Sequence, residues 1–231
     1  MSEHNNENPQ GPERPNPYAQ HAQAAAGRAR VAAQDALGAA RRLAGNPVAG
    51  IGEAHMAIGA DRVLGVAIVF ALVAAIGLAL AGSLLVRAMM GAMVGGFGAL
   101  PGMGFDFGRF MMAILTNLVA IIAAGGGVLM LAPMLGGRIS APSALLVAAT
   151  AFLPLGIAAL LSALIGSLMS NRFGAILISL LMLYGMCYLV LVLNAGLRHV
   201  AGVDERRAAY GTPTVLAFAA FVSWLVAWLF G

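Results

Sequence analysis

The chain has 231 residues, of which 61% are hydrophobic and 10% are charged, and its mean hydropathy is +0.89. Soluble domains carry about 25% charged and about 45–50% apolar residues, so this composition excludes an ordinary soluble domain and indicates a chain that folds mainly in lipid. The formal net charge of +4 comes from 13 basic residues, all arginine, against 9 acids. An excess this small, divided among membrane flanks, predicts no nucleic-acid partner.

The first 27 residues are predicted to form a disordered, proline-rich tail. They are polar, offer almost nothing to bury, and contain Pro9, Pro12, Pro15 and Pro17. Such a composition favours solvated polyproline II structure over a packed element. Because residues 1–27 contain no apolar core of a signal peptide, we expect the first apolar span to act as an uncleaved signal anchor.

A juxtamembrane segment, residues 28–62, is predicted to be helical and amphipathic. Its first part is alanine-rich, with a thin apolar stripe at Val31, Leu37 and Leu43. It also carries four arginines, which are Arg28, Arg30, Arg41 and Arg42. This weak helix either lies near anionic lipid headgroups, where each arginine adds ~1 kcal/mol, or stands in solvent. The sequence leaves both interpretations open.

A second, short helix is predicted to begin after Asn46 and Pro47, an N-cap followed by proline at the first helical position. Apolar and amphipathic residues then recur at helical spacing, at Val48, Ile51, His55 and Ile58. This pattern predicts an interfacial helix that leads into the first span. Glu53 lies two residues before His55, so the two side chains point to different helix faces and predict no metal or acid–base pair.

Five apolar runs predict five transmembrane helices in the region 63–231. The first run contains 24 residues, about 36 Å of helix against a hydrocarbon core of roughly 30 Å. The predicted fold is therefore an all-α, polytopic membrane helix bundle. A turn of three residues, 170–172, makes the third and fourth helices antiparallel neighbours. The predicted spans are 63–86, 110–131, 144–169, 173–193 and 213–230.

Arginine predicts the orientation of the bundle. With the N-terminus in the cytoplasm, ten of the 13 arginines fall in cytoplasmic segments and three fall outside. Loops rich in arginine resist translocation, so the N-terminus is expected in the cytoplasm and the C-terminus outside. The charged segment 194–212 is then a cytoplasmic loop, and Thr212 with Pro213 is expected to cap the last span.

Polar residues inside the spans are predicted to serve packing. The spans contain no Asp, Glu, Arg or His, the groups on which ion-coupled machines usually depend. Thr116 and Asn117 are expected to hydrogen-bond between helices, and so are the hydroxyls of Tyr184 and Tyr188. Small residues recur every fourth position in the first span and predict a closely approached helix face, at Ala67, Ala71, Ala75, Ala79 and Ser83.

Three features would suit a transporter of a small solute or of copper. Gly125–Gly127 predicts either a locally unwound helix or, as we favour, a groove for a close neighbour. Pro154 is expected to kink the third span. The outer loop 88–108 is rich in methionine, and Met89 and Met93 have the spacing of two thioether ligands for Cu(I). An interfacial or half-inserted apolar loop explains the same methionines.

No residue of the sequence is assigned to a catalytic, cofactor-binding or metal site, and no cofactor is expected. The lone cysteine, Cys187, has no partner for a disulfide or a metal motif. Ser167 and His199 fall on opposite sides of the membrane in the predicted topology, which argues against a pair of nucleophile and base. The sequence therefore predicts a protein that is not an enzyme.

The second half of the chain resembles the Yip-domain family of polytopic membrane proteins, in its bacterial form. The resemblance lies in "ATAFLPLGIAALLSALIG", residues 149–166, and in "LYGMCYLVLVLNAGLRHVAGVDERRA", residues 183–208. Five spans behind an N-terminal segment also agree with that family. Its eukaryotic members bind Rab-type GTPases and carry an Asp-Leu-Tyr-Gly type stretch that this chain lacks. The resemblance implies a bacterial inner-membrane protein and brings no catalytic residues.

Two hypotheses of function follow from the sequence. The first is a non-enzymatic membrane scaffold that presents its N-terminal region and the segment 194–212 to cytoplasmic or membrane protein partners, with anionic headgroups as further contacts. The alternative is the small-solute or copper transporter, which would use Gly125–Gly127, Pro154 and the methionine-rich outer loop.

Overall fold

The computed structural model describes residues 17–93, 107–168 and 172–230. Over these ranges the chain forms seven α-helices and no strand, which confirms the predicted all-α class. The helices are α1 (Pro17–Gly45), α2 (Gly50–Ile58), α3 (Val63–Met93), α4 (Phe107–Met134), α5 (Ala141–Leu168), α6 (Arg172–His199) and α7 (Glu205–Phe230).

Five of these helices, α3 to α7, are long and apolar enough to cross a membrane. Each overlaps one of the five predicted spans, so the membrane bundle expected from the sequence is confirmed, although the helix ends differ. Helix α5 lies at the centre of the bundle, where α3, α4 and α6 pack against it, and α7 packs mainly on α4. The apolar segments are Val63–Ser83, Phe107–Met134, Ala141–Ile165, Ile176–His199 and Glu205–Val226.

Helices α3 and α5 approach each other through glycine. A Cβ atom placed on Gly156 of α5 would lie 2.9 Å from the carbonyl oxygen of Ala74 in α3. The converse holds for Gly77, whose Cβ would lie 2.9 Å from the carbonyl oxygen of Gly156. Ala71 and Ala75 of the predicted small-residue face of α3 are buried, at 5% and 0% exposed, so this face packs within the bundle. The bare backbones let the two helices gain van der Waals contact along their length.

Helix α4 runs without interruption through Gly125–Gly127. The first glycine faces α5, since its Cβ would lie 3.2 Å from the Cα of Leu145. The third faces α7, since its Cβ would lie 3.2 Å from the ring of Phe218. The predicted groove for close neighbours is confirmed, and the unwound helix that the transporter hypothesis requires is wrong. Helix α5 likewise continues past Pro154 to its end at Leu168.

The predicted loop 194–212 is mostly helical, and residues 200–204 alone connect α6 to α7. Asp204 causes the early start of α7, because its carboxylate accepts a hydrogen bond from the backbone N–H of Arg206 at 3.2 Å, as an N-cap does. Thr212 lies inside α7, where its hydroxyl donates to the carbonyl of Ala208 at 2.9 Å. The expected cap at Thr212 and Pro213 is therefore wrong.

Helix α1 begins at Pro17, within the segment predicted to be a disordered tail. Residues 17–27 are helical because the alanines at 24–26 are strong helix formers and proline is tolerated in the first turn. Residues 1–16 lie outside the described ranges. The predicted N-cap at Asn46 with Pro47 in the first helical position is wrong, because α2 begins at Gly50, after Ala49. The side-chain oxygen of Asn46 instead accepts hydrogen bonds from Val48 N–H at 3.2 Å and from Ala49 N–H at 3.1 Å in the turn that precedes the helix.

The glycine contact between α3 and α5 predicts opposite effects for two alanine substitutions. Gly156→Ala is expected to lower the free energy of unfolding by ~1–3 kcal/mol, because the new methyl group meets a backbone carbonyl that only a helix shift can move. Gly126→Ala, where a Cβ meets nothing within 4 Å, is the matched control and is expected to be neutral or stabilising by up to ~1 kcal/mol. Denaturant unfolding in detergent micelles measures both. Equal losses from the two substitutions would contradict the proposed contact.

Candidate interaction surface

One end of the bundle gathers the first turns of α3, α5 and α7, the last turns of α4 and α6, and helices α1 and α2. We call it the basic end. Two hydrogen bonds join its turns, because the backbone N–H of Arg138 donates to the carbonyl of Ala201 at 2.8 Å and the guanidinium of Arg207 donates to the carbonyl of Leu135 at 3.2 Å. The latter carbonyl follows the end of α4, where backbone acceptors lack helical partners. The two turns therefore form one connected surface.

Helix α2 is fastened to α5 by a histidine and two serines. The Nε2 atom of His55 hydrogen-bonds to the hydroxyl of Ser143 at 2.8 Å, and that hydroxyl also contacts the hydroxyl of Ser140 at 2.8 Å. Ser140 precedes α5 and accepts the backbone N–H of Ser143 at 3.4 Å, a long N-cap bond. Ile51 of α2 is also buried, at 1% exposed.

The His55–Ser143 pair resembles a base and a nucleophile in its geometry, but its surroundings favour a structural role. Ser143 is only 8% exposed, so its hydroxyl lies within the contact between α2 and α5. Partial burial lowers the pKa of His55 from its ordinary 6.5, because an imidazolium loses hydration there. The described residues place no carboxylate on the other ring nitrogen, so the orienting third group of a catalytic triad is not seen among them.

Helix α1 is attached to the bundle at two points. Asp35 receives two hydrogen bonds from the guanidinium of Arg62, at 3.1 and 2.9 Å, in an ion pair that is partly open to solvent. Exposed pairs contribute little, typically about 0–1 kcal/mol. Tyr188, in the middle of α6, donates its hydroxyl to the carbonyl of Leu43 at 2.8 Å. That carbonyl belongs to the last turn of α1 and has no helical partner of its own.

The buried face of α1 differs from the predicted stripe. Leu43 is buried as expected, but Val31 and Leu37 are 43% and 56% exposed. The packed positions are instead Ala36 and Ala39, which are 4% and 1% exposed. Alanine allows the helix to approach its neighbours closely, and a search for large apolar residues misses such a face.

Arginine dominates the exposed part of the basic end. The described arginines here are Arg28, Arg30, Arg41, Arg42, Arg62, Arg138, Arg198, Arg206 and Arg207. Glu205 pairs with Arg198 at 3.2 Å. Two large side chains also project from this end, since Met56 is 76% exposed and Tyr210 is 77% exposed. The basic end therefore has turns that are held together by hydrogen bonds, an excess of positive charge, and two exposed side chains, Met56 and Tyr210, that offer apolar surface.

The polar residues of the spans divide into two groups. Asn117 donates to the carbonyl of Ala75 at 3.3 Å, so the expected bond between helices is confirmed. Thr116 instead donates to the carbonyl of Met112 in its own helix at 2.9 Å, and the expectation of an interhelical bond is wrong. A threonine hydroxyl in a helix readily bonds the carbonyl four residues earlier, which removes the need for a partner helix.

The methionine-rich segment is described only in part. Residues 88–93, expected in a loop, form the last turns of α3, and residues 94–106 lie outside the described ranges. Over the part of the chain that the structure describes, no group of three or more His, Cys, Asp or Glu side chains could hold a metal ion. His199 lies at the basic end. A Cβ atom placed on Gly52 of α2 would lie 3.2 Å from the Cβ of His199.

Sequence reasoning missed Ser143 and Asp204, the two residues that organise this end. Ser140, three residues before Ser143 and directly before an apolar run, is an N-terminal helix signal that predicts the start of α5. Asp204 before Glu205 is a similar signal for α7. The pairing of His55 with Ser143 across 88 residues of chain has no local signal.

Comparison of the chain with models of protein families, with curated proteins and with solved structures finds no match. The fold and its surface define the class of protein, a five-helix membrane bundle with two additional helices fastened to one end.

The lowered pKa of His55 predicts that acid destabilises the fold. The unfolded chain binds a proton near pH 6.5 and the folded chain binds it only at lower pH, so stability is retained above that value and is lost as the pH falls below it. Thermal unfolding in detergent at about pH 7.5 and about pH 5.5 is expected to show a smaller acid-induced drop in Tm for His55→Gln, which keeps a hydrogen-bonding side chain but does not titrate.

The matched control is His199→Gln, at an exposed histidine of the same end. This variant is expected to retain the acid-induced drop of the unsubstituted protein. A drop of equal size in His55→Gln and the unsubstituted protein would show that another group causes it.

Proposed function

We propose that this protein is a non-enzymatic, multi-pass membrane scaffold whose basic end binds a cytoplasmic or membrane protein partner. The observation that carries the proposal is the fastening of α1, α2 and two interhelical turns into one surface. The bonds of His55 to Ser143 and of Arg138 to Ala201 hold the parts of that surface in place. A surface fixed before binding loses less conformational entropy when a partner docks, which favours recognition.

The arginines support a cytoplasmic position for the basic end. Nine described arginines belong to it, whereas Arg87, Arg109 and Arg172 belong to the opposite ends of α3, α4 and α6. Segments rich in arginine remain on the cytoplasmic side of a membrane. With five spans, the N-terminus then lies in the cytoplasm and the C-terminus lies outside. The resemblance to bacterial Yip-domain proteins supports an inner-membrane location and a role without catalysis.

The chemistry of the surface indicates its partners. Exposed guanidinium groups favour carboxylate-rich protein surfaces and the anionic headgroups of the adjoining leaflet. Tyr210 and Met56 add isolated apolar contacts of the kind that anchor an interface. The start of α7 contributes directly, because Arg206 and Tyr210 both project from its first two turns.

The proposed orientation predicts the compartment of each terminus. A reporter that is active only in the cytoplasm is expected to work when fused to Met1 and to fail when fused to Gly231, and a reporter active only outside should behave in the opposite way. Both reporters are assayed in intact cells. Activity of both termini in one compartment would overturn the five-span assignment.

The scaffold proposal predicts that crosslinks to protein form at one end of the bundle. A photo-crosslinking amino acid at Met56 or Tyr210 is expected to capture the same partner in intact cells, while one at Phe107, exposed at the other end of the bundle, is the control. The substitution Arg206→Glu should weaken capture from both positions by reversing a charge of the surface. Failure to capture protein at either position, or equal capture at Phe107, would contradict the proposal.

A further inference from the structure

A groove of about 330 Å³ opens on the side of the bundle between α5 and α6, and α1 closes one end of it. Its floor follows α5 from Thr150 to Leu161, a length of about 16 Å along the helix. Its wall follows α6 from Tyr188 back to Leu181. Because α5 and α6 are antiparallel, the groove is a straight slot along the helix axes and thus along the direction of lipid chains.

The groove changes in character along its length. At the α1 end lie Thr150 and the hydroxyl of Tyr188, which bonds to the Leu43 carbonyl at 2.8 Å. Pro154, one turn further, also lines the groove and has no N–H to give to the Thr150 carbonyl. The far end is lined by aliphatic side chains such as Leu161 and Leu181. The slot therefore has a polar end and an apolar end.

Arginine borders the polar end. Ala40 and Ala44 of α1 both line the groove, and the exposed Arg41 lies between them in sequence and one turn from Ala44. Arg41 is exposed on this part of α1, and a guanidinium group suits a phosphate through charge-assisted hydrogen bonds. The slot opens sideways to the membrane, since Ile157 and Leu161 are 50% and 44% exposed.

We propose that this groove binds one acyl chain of an anionic phospholipid from the leaflet at the basic end, with the headgroup phosphate beside Arg41. The straight shape fits an extended hydrocarbon chain, and the order of polar and apolar ends matches the order of headgroup and tail. The positive charge selects the anionic headgroup. This site is independent of a protein partner, so it extends beyond the scaffold function.

A second cleft in the same bundle serves as an internal control. It lies between α6 and α7, has a volume of about 700 Å³, and is apolar almost throughout. Ala220 and Ser223 line it, and none of its lining residues is an arginine. Lipid tails fill such a cleft without preference for a headgroup.

The test uses the full chain in phosphatidylcholine nanodiscs that contain a photoreactive acyl chain on either phosphatidylglycerol or phosphatidylcholine. Mass spectrometry of the labelled peptides maps the sites. Ile157 and Leu161 are expected to be labelled about five-fold more by the phosphatidylglycerol probe, the ratio that corresponds to ~1 kcal/mol for one arginine at the membrane surface. Ala220 and Ser223 should be labelled equally by both probes.

Two pairs of variants separate the headgroup from the chain. Arg41→Glu is expected to abolish the preference for phosphatidylglycerol in the groove, and Arg28→Glu, at an exposed arginine of the same helix, should retain it. Leu161→Trp fills the slot and should lower labelling of Ile157 by both probes, and Leu180→Trp, at an exposed residue outside the groove, should not. These exposed positions can change without disturbing the core.

The proposal is overturned if the groove and the control cleft show the same labelling ratio. It is also overturned if the preference for phosphatidylglycerol survives Arg41→Glu, or if Leu161→Trp leaves labelling of Ile157 unchanged. Each variant is first shown to keep the Tm of the unsubstituted protein.

Discussion

Close contact between helix backbones is the constraint on which this bundle depends. In lipid, apolar side chains gain nothing by leaving their solvent, so helices associate through van der Waals packing and interhelical hydrogen bonds. Helix α5 meets this requirement because each of its three neighbours, α3, α4 and α6, packs on it through a glycine. Gly77 of α3, Gly125 of α4 and Gly185 of α6 each face it with so little space that a Cβ would contact backbone or side-chain atoms of α5. The remaining elements are arranged around this central helix.

The number and place of the spans could be predicted because they depend on composition alone. A helix of about 20 apolar residues is long enough to cross the hydrocarbon core, and this length does not depend on the neighbouring helices. The length of the apolar run does not predict where a helix ends, since the helices continue past the run wherever their backbone groups find partners. Asp204 supplies such partners for α7, and α6 continues to His199, with Arg198 in its last turn. Side-chain chemistry, rather than hydropathy, determines these boundaries.

The candidate surface could be predicted only in its charge. Its arginines are visible in the sequence, but the contacts that fix it join residues far apart, such as His55 with Ser143 and Tyr188 with Leu43. Periodicity also failed for α1, because its packed face consists mainly of alanines, including Ala36 and Ala39, in a chain where alanine is abundant. Because alanine is abundant throughout the chain, the sequence does not indicate which alanines are buried.

The hydrogen bond between Tyr188 and Leu43 also imposes an order on biogenesis, because its two residues are separated by 145 positions in the chain. At synthesis rates of about 5–20 residues per second, the tyrosine leaves the ribosome roughly 7–29 s after the leucine. During that interval α1 has already been made, but its Leu43 carbonyl still lacks the tyrosine hydroxyl that donates to it. The ion pair with Arg62, only 27 positions away, can form much sooner. Attachment of α1 can therefore begin early in assembly, but it is completed only after the fourth span has entered the membrane.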